Sequence, residues 1–476
     1  MKTSRQLLLA IFFVAQVGAA RAVATITYGP FGKVAVYFPA KKPTSVALFV
    51  SGNAGWESGV ISMAKNIAGQ GALVLGIDAL SYKKSLAKSI SGCLYPAADF
   101  EDLSMMIQKK YNFPEYLKPI LIGYAYGATL IYGILAQAPA NTFKGGIALE
   151  FCPEFESTKP LCKGAGLSMH AMSGSKAYYL DRTDALSAPF IVFNGGQDRK
   201  YSYQQTTDYF KDLPMAELVS MPNLGHGIDV NAKWIQGFKT AYQKILAAPS
   251  FSQRKEQQNK LLMAGKVVPL PGSLPLTLVP SSQTNDLPLV FFISGDGGWT
   301  SFDQSLSESI SEKGLPVIGL DAQKYFWRRK TPEQSTADVS KAITHYMQQW
   351  NKTSFILMGF SFGASVVPFI ATRLAPDLKS RIRKVVSLSP DENADFEIHI
   401  SDMLNFGRNT GHFDVLSELI KIKELKPICI FGQDEHNGLE EKLLGKQIKS
   451  ITLPGGHHYD NNYSGITKII VESIKP

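Results

Sequence analysis

The chain has 476 residues, of which 45% are hydrophobic and 19% charged, and its formal net charge is +9. This length allows two or three domains, and the composition is ordinary for a globular protein. The positive excess is too small to indicate a nucleic-acid partner. No zinc spacing, P-loop or dinucleotide fingerprint accompanies it, so we expect neither a metal nor another cofactor.

The first 24 residues have the pattern of a secretory signal peptide. Lys2 and Arg5 precede an apolar stretch from Leu7 to Val17, and two overlapping Ala-x-Ala sequences end at Ala24. Cleavage is favoured over a retained anchor because the apolar stretch is shorter than the roughly 20 residues that span a bilayer. Without the three basic residues of this leader the charge is about +6, which suits an anionic membrane surface. We therefore expect an exported protein.

Export makes the four cysteines candidates for disulfide bonds. Cys152 and Cys162 are close in sequence within a loop-like segment, where a bridge would restrain the chain. Cys93 is the alternative partner. Cys429 lies in an apolar run of strand length, and we expect it to be a buried free thiol.

The two halves of the chain carry the same series of sequence blocks, about 240 residues apart. An apolar run that enters a glycine-rich turn occurs at 46–56 and again at 289–299. The further pairs, in the same order, are 73–78 with 316–321, 120–127 with the turn around Ser361, 190–198 with 427–434, and 222–226 with 454–458. This order indicates a duplicated domain.

Strand-like apolar runs alternate with segments of helical length and period, such as 301–313 and 336–350. The alternation predicts an α/β fold class, with a mostly parallel sheet and helices on both faces in each half. We place the signal peptide at 1–24, the first domain at 25–248, a polar linker at 249–265 and the second domain at 266–476.

The pentapeptide Gly359 to Gly363 has the G-x-S-x-G pattern of a nucleophile elbow, with Ser361 at its centre. A buried-strand pattern precedes it and a helical pattern follows, so Ser361 is predicted to lie on a strand-to-helix turn. The glycines are needed because side chains two residues from a strained serine would collide. Such a pentapeptide also arises by chance, and its position between a strand and a helix is what gives it weight.

The second half then supplies a carboxylate and a histidine in the chain order of an α/β-hydrolase. Asp434 follows an apolar strand, and His457 and His458 follow the next one. A histidine would take the proton of the Ser361 hydroxyl, and the carboxylate would orient the imidazole. The two possible alignments of the repeat select different histidines, and the Gly-Gly-His sequence favours His457. His399 is a further, less favoured base.

Two backbone N–H groups are expected to form the oxyanion hole. One belongs to Phe362, which follows the nucleophile, and the other to Asp296 in the glycine-rich loop 294–298.

The first half retains Asp198 and His226 but has Ala125 where the nucleophile should be. Alanine has no group that a base could activate. We therefore expect two tandem α/β-hydrolase-like domains, the first of which is catalytically degenerate and scaffolds, binds or covers the second.

Two clusters are candidates for substrate binding. Trp327, Arg328 and Arg329 belong to a basic and aromatic segment that has no counterpart in the first half. Such a segment suits a lipid interface or a phosphate-bearing headgroup, and it is equally compatible with a solvated loop whose aromatic rings pack inward. Asp395 lies in the acidic loop 391–399, which could attract a cationic group of the substrate, although a solvated surface loop is the favoured alternative.

The second half also carries five longer motifs. They are Ser294-Gly-Asp-Gly-Gly-Trp299, Tyr325-Phe-Trp327 with Thr331-Pro-Glu333, Gly359-Phe-Ser-Phe-Gly363, Ser389-Pro-Asp391 with Ala394-Asp-Phe-Glu397, and Gly455-Gly-His-His458. Together they resemble the bacterial virulence protein family of VirJ and AcvB, and the long form with an export signal is similar to the AcvB branch. The resemblance implies a periplasmic serine hydrolase, with Ser361 as nucleophile, that removes the lysyl or a related aminoacyl group from aminoacyl-phosphatidylglycerol. It also implies links to type IV secretion and virulence.

Three functions follow as hypotheses. The first is a serine esterase acting on an aminoacylated phospholipid, with secretion-system proteins as further partners. The second is a non-catalytic periplasmic binding or chaperone module for a secretion system, and the third is an esterase or thioesterase for a soluble substrate. Retention of all three triad members in one half, with loss of only the serine in the other, favours catalysis.

Overall fold

The structure is a computed structural model of the chain, and it describes residues 24–164, 166–198, 202–221, 225, 232–262, 274–398, 413–435 and 437–475. The predicted signal peptide, apart from its last residue, lies outside these ranges, as do His226 and His399. Within these ranges, no helix combines the length and the apolar composition needed to cross a bilayer.

The first domain is built on an eight-stranded sheet. Its strands are β1 (Ala24–Tyr28), β2 (Gly32–Tyr37), β3 (Ser45–Val50), β4 (Ala72–Ile77), β5 (Ile120–Tyr124), β6 (Gly145–Leu149), β7 (Glu154–Glu156), β8 (Met169–Ala171), β9 (Ala177–Leu180), β10 (Phe190–Gly195) and β11 (Ala216–Met221). Its helices are α1 (Ser58–Gly69), α2 (Ala79–Ala87), α3 (Pro96–Lys110), α4 (Tyr126–Gln137), α5 (Tyr203–Phe210) and α6 (Ala232–Ala247). The sheet order is β1-β2-β4-β3-β5-β6-β10-β11, parallel from β4 to β11, and β7, β9 and β8 form a small separate sheet.

The second domain repeats this arrangement around a seven-stranded sheet, beside a separate two-stranded one. Its strands are β12 (Leu276–Val279), β13 (Leu289–Ile293), β14 (Val317–Leu320), β15 (Phe355–Phe360), β16 (Ile382–Leu388), β17 (Asn393–Ala394), β18 (Phe413–Asp414), β19 (Ile428–Gly432) and β20 (Lys449–Leu453). Helix α7 (Phe251–Leu262) precedes it, and its own helices are α8 (Ser301–Glu312), α9 (Ala322–Tyr325), α10 (Pro332–Gln349), α11 (Phe362–Arg373), α12 (Pro376–Lys379), α13 (Val415–Lys421), α14 (Gly438–Leu443) and α15 (Tyr463–Ser473). The order β12-β14-β13-β15-β16-β19-β20 matches the first sheet without β1. The predicted fold class, with two tandem α/β-hydrolase-like domains, is confirmed.

Both sheets are buried on both faces, because alternate side chains of each central strand enter different cores. In β13, Leu289, Phe291 and Ile293 belong to one core, and Val290 and Phe292 belong to the other. Strand β3 divides its apolar side chains between two cores in the same way. Continuous apolar runs, rather than alternating ones, are therefore what such strands require.

The predicted polar linker at 249–265 contains a helix, α7, which begins with a reciprocal cap. The backbone N–H of Ser250 donates to the side chain of Gln253 (2.8 Å), and that of Gln253 donates to the Ser250 hydroxyl (3.2 Å). Lys255 forms an ion pair with Glu308 of the second domain (3.0 Å). Part of the predicted linker is therefore helical, and its polar residues form a cap and an ion pair with the second domain.

The disulfide bond joins Cys93 to Cys162. This is the alternative pairing, and it arises because the chain at Leu94 runs beside Leu161, with the N–H of Cys162 donating to the carbonyl of Leu94 (2.7 Å). Cys152 takes no part in this disulfide bond. Cys429 is a buried free thiol as expected, and burial raises its pKa to about 12.

Candidate functional site

Ser361 lies on the predicted turn, between β15 and α11. Its backbone is in a strained region, with φ 53° and ψ −117°. The flanking glycines are required: a Cβ on Gly363 would lie 2.2 Å from the carbonyl oxygen of Ile293, and one on Gly359 would lie 2.3 Å from the carbonyl carbon of Gly363. The turn therefore holds Ser361 at the carboxyl end of the sheet, the edge where parallel sheets place their sites.

The Ser361 side chain is partly exposed rather than sealed in the core. The glycine-rich loop passes close to it, because a Cβ added to Gly295 would lie 3.5 Å from the Cβ of Ser361. The ring of the preceding residue, Phe360, contacts the imidazole of His457 with 5.0 Å between centroids. The Ser361 hydroxyl makes no hydrogen bond to the other described residues. In enzymes, the hydrogen bond between a nucleophile and its base is often long before substrate binds.

His457 is paired with Glu435. Its Nδ1 is hydrogen-bonded to Oε1 of Glu435, and the glutamate side chain is only 12% exposed. Burial alone would lower the pKa of His457, but the bond to Glu435 and the charges of Glu435, Asp296 and Asp391 outweigh it and raise that pKa. The pair therefore has the orientation that a histidine base needs from a carboxylate.

Two further groups bond to the Glu435 carboxylate, and Tyr459 contacts one of them. Oε2 of Glu435 accepts from the Ser389 hydroxyl (2.8 Å) and from the N–H of Gly432 (2.9 Å). The Tyr459 hydroxyl lies 2.6 Å from the Ser389 hydroxyl and 2.9 Å from the carbonyl of Ile430. Burial would raise the pKa of Glu435, but the bonds from His457, Gly432 and Ser389 lower it, so the carboxylate is kept ionised.

Asp434, the residue predicted from sequence, is exposed and does not pair with His457. The prediction was one residue out of register. In the first domain the N–H of Asp198 donates to the carbonyl of Gly195, and in the second the N–H of Glu435 donates to that of Gly432. Glu435 is therefore the counterpart of Asp198, although the shared Gly-Gln-Asp letters align Asp198 with Asp434.

His458 does not share the role of His457. Its ring packs against Phe302 and Phe360, with centroids 5.2 and 5.3 Å apart. Burial, followed by the charge of His457, lowers the pKa of His458 to about 4. His458 is therefore a neutral ring that packs within an aromatic cluster. Of the two predicted histidines, it is the favoured one, His457, that is bonded to a carboxylate.

The predicted oxyanion donors lie on the two segments beside Ser361. Phe362 is the first residue of α11, so its N–H is among those that a helix leaves without an internal partner. Asp296 lies in the glycine-rich loop, where its own Oδ1 accepts from the N–H of Gly297 (3.0 Å).

The basic and aromatic segment lies against the first domain. Trp327 is 3% exposed, packs at a tilt against the ring of Tyr116 (5.2 Å between centroids) and donates from Nε1 to the carbonyl of Phe113 (3.0 Å). Arg328 donates to the carbonyl of Pro114 (3.1 Å). The ring of Trp327 is buried between the domains, which agrees with the second of the two alternatives, aromatic rings that pack inward, and not with a lipid contact of this residue.

Arg329 and Asp395 are placed differently from Trp327. Arg329 is exposed, and Asp395 is half-buried and accepts a bond from the N–H of Phe396 (2.6 Å). Neither forms part of the cluster around His457 that the structure shows.

Sequence reasoning missed Glu435, Ser389, Tyr459 and the carboxylates of helix α3. Burial, followed by nearby charges that include Asp296, raises the pKa of Asp102 to about 7. Burial together with Asp102 and Asp296, against the charge of Lys118, raises that of Glu101 to about 8. The first domain thus brings two carboxyl groups, whose ionisation burial disfavours, close enough to interact with Asp296 in the loop beside Ser361, which no sequence motif indicated.

Comparison with known proteins places these features in a family. The family model "Bacterial virulence protein (VirJ)" matches residues 44–145 and 287–476, which is more than half of the chain. No curated protein sequence matches the chain.

Solved structures of esterases are similar at low identity. Est1E from Butyrivibrio proteoclasticus is 15% identical (42% of this chain, 93% of that one, TM-score 0.31). A lipase-esterase related protein from Clostridium acetobutylicum is 18% identical (43% and 100%, TM-score 0.32), and an esterase domain from Rhodothermus marinus is 14% identical (47% and 96%, TM-score 0.32). On the family match, which includes the elbow, Glu435 and His457, this chain belongs to the VirJ family of bacterial virulence proteins.

Proposed function

We propose that the second domain is a serine esterase with Ser361 as nucleophile, His457 as base and Glu435 as the orienting acid. One observation carries this proposal: a serine on a strained elbow lies at the sheet edge where a histidine is bonded to a buried, ionised carboxylate. Glu435 engages Nδ1, so Nε2 of His457 is the atom left to exchange a proton with the serine.

The reaction proceeds in two steps. The Ser361 oxygen bonds to the ester carbonyl carbon while its proton passes to His457, and the oxyanion is stabilised by the N–H groups of Phe362 and Asp296. The carbon–oxygen bond to the alcohol breaks, and the alcohol takes the proton from His457. Water then attacks the acyl-serine in the same way and releases the acid and the free hydroxyl of Ser361.

For the substrate we propose an aminoacyl ester of an anionic phospholipid, in line with the resemblance to the VirJ and AcvB family. Carboxyl groups of both domains support a cationic acyl group. The charges of Asp296 and Asp391 raise the pKa of His457, and the charge of Asp296 also raises the pKa values of Asp102 and Glu101. An ammonium held among them would relieve their mutual repulsion. The leader pattern and the disulfide bond support export to the periplasm, which is part of this proposal. The family's link to virulence supports a role of the same activity in virulence.

Two assays test the proposal. Wild-type protein should be labelled by a fluorophosphonate and should release lysine from vesicles of lysyl-phosphatidylglycerol, whereas Ser361→Ala should do neither. Folded wild-type protein that resists the label would contradict the proposal and favour a non-catalytic binding module. Labelling without lysine release would retain the esterase and reject the lipid substrate.

The role of the acidic cluster gives a separate prediction. Asp102→Asn should raise KM for an aminoacyl ester about tenfold, because one charged contact to an ammonium is lost. The KM for an uncharged acyl ester of the same alcohol should change less than about twofold. The exposed Asp377→Asn serves as the control for net charge, and equal effects of the two variants on both esters would reject recognition of the ammonium by Asp102.

A further inference from the structure

The first domain lacks a nucleophile, yet it holds one end of the glycine-rich loop that lies beside Ser361. Within this loop the N–H of Gly298 donates to the carbonyl of Gly295 (3.0 Å), and the N–H of Ser294 donates to Leu320 (3.1 Å). The far end is Trp299, whose indole is fully buried and donates to Gln304 (2.9 Å). The carbonyl of Trp299 accepts from Nδ2 of Asn141 in the first domain (2.7 Å).

Asn141 connects three parts of the molecule. Besides the bond to Trp299, its Nδ2 donates to the hydroxyl of Ser252 in helix α7 (2.6 Å), and its Oδ1 accepts from the N–H of Ser252 (3.4 Å). The backbone carbonyl of Asn141 accepts from Lys118. The side chain is 6% exposed, so these bonds are largely shielded from water.

The position favours asparagine for two physical reasons. The backbone has φ 71°, a left-handed conformation that asparagine adopts more readily than most residues. The side chain must also donate twice and accept once, which an amide does and a carboxylate cannot. In Asn141→Asp an oxygen would face the Trp299 carbonyl at the same distance, and the attraction would become repulsion.

We propose that Asn141 is a positioning residue through which the first domain fixes the glycine-rich loop for catalysis. This inference rests on the proposed esterase function and deepens it. The loop supplies the N–H of Asp296 to the oxyanion, and displacement of a donor by about 1 Å is enough to cost a large factor in rate. Replacement of Asn141 should therefore weaken stabilisation of the transition state and lower kcat, with little effect on substrate binding.

The experiment compares Asn141→Asp with wild type and with Lys109→Ala in the full-length protein. Lys109 bonds to the Trp327 carbonyl (2.6 Å) and to Glu397 (3.1 Å), so its loss weakens the domain interface away from the loop. On a small soluble ester, Asn141→Asp should lower kcat about 10- to 100-fold, with KM within about twofold. A trifluoromethyl ketone of the same acyl group should bind more weakly by the factor lost in kcat/KM.

Thermal unfolding shows whether the variants are folded, and Ser252→Ala provides a milder test if Asn141→Asp is not. Ser252→Ala removes the hydroxyl that accepts from Nδ2 of Asn141 but keeps the backbone N–H that donates to its Oδ1, so it should give a smaller loss in kcat. Unchanged kcat in a folded Asn141 or Ser252 variant would overturn the proposal, as would an equal loss in Lys109→Ala. Failure of the esterase proposal would be distinct, because wild-type protein itself would then show no turnover.

Discussion

Glu435→Gln is expected to lower kcat/KM by about 10³- to 10⁴-fold, whereas Asp434→Asn should retain activity within a factor of about three. The glutamine keeps the shape of the side chain but no longer stabilises an imidazolium on His457. It also presents an N–H₂ group that can favour the wrong tautomer. Asp434 is exposed and does not pair with His457, so replacement of its carboxylate by an amide should change kcat/KM little.

The pH dependence of kcat/KM gives a second measurement on the same variant. His457 must be neutral to act as a base, and its pKa is raised above the ordinary value of 6.5. Activity of the wild-type enzyme should therefore be lost as pH falls through a value above 6.5. In Glu435→Gln the hydrogen bond to the carboxylate and its charge are gone, burial then lowers the pKa of His457, and the residual activity should persist to lower pH.

Comparable activities of Glu435→Gln and wild type, together with a large loss in Asp434→Asn, would reject the assignment of the acid. Ser389→Ala provides a graded control, since it removes one of the groups that hold the Glu435 carboxylate. Its activity should fall by about tenfold or less, with a smaller shift of the pH profile in the same direction.

The sequence predicts the repeated fold well because buried parallel strands are continuous apolar runs. The repeat, the elbow at Ser361 and the missing nucleophile at Ala125 are all local patterns. Glu435 could not be found in this way, because sequence letters alone do not show where β19 ends. The hydrogen bonds of Gly432 and Gly195 set that register, and they place Glu435 one residue after the matching letter.

Contacts between the domains could not be predicted for a different reason. Trp327 and Arg328 have the composition of a lipid-facing segment, and only the position of the first domain shows that they contact Phe113 and Pro114 instead. The same holds for Asn141, which lies in a turn and belongs to no motif. The sequence indicates which kinds of group a side chain can bind, but the tertiary structure determines which groups it contacts.

The second large effect is expected at the elbow itself, where Gly363→Ala should destabilise the second domain. The added Cβ would lie 2.2 Å from the carbonyl oxygen of Ile293, the last residue of the neighbouring strand β13, and 2.6 Å from that of Ser294, which follows it. Relief would require separation of β13 from β15, which pair at Ile293 and Gly359. We expect the free energy of unfolding to fall by about 3 kcal/mol or more. Labelling by a fluorophosphonate should also be lost.

Gly127→Ala tests the same steric requirement in a domain that has no nucleophile. Its Cβ would lie 2.5 Å from the carbonyl oxygen of Val50, and Ala125 keeps the strained φ of 48°. Gly59→Ala is the control, since a Cβ there meets no atom within 4 Å. Both elbow variants should lower the thermal midpoint by roughly 5–10 °C, with Gly59→Ala near wild type. If Gly127→Ala is as stable as wild type, the first domain does not depend on its elbow for folding. If its thermal midpoint falls as far as that of Gly363→Ala, the turn is required for folding even in a domain without a nucleophile.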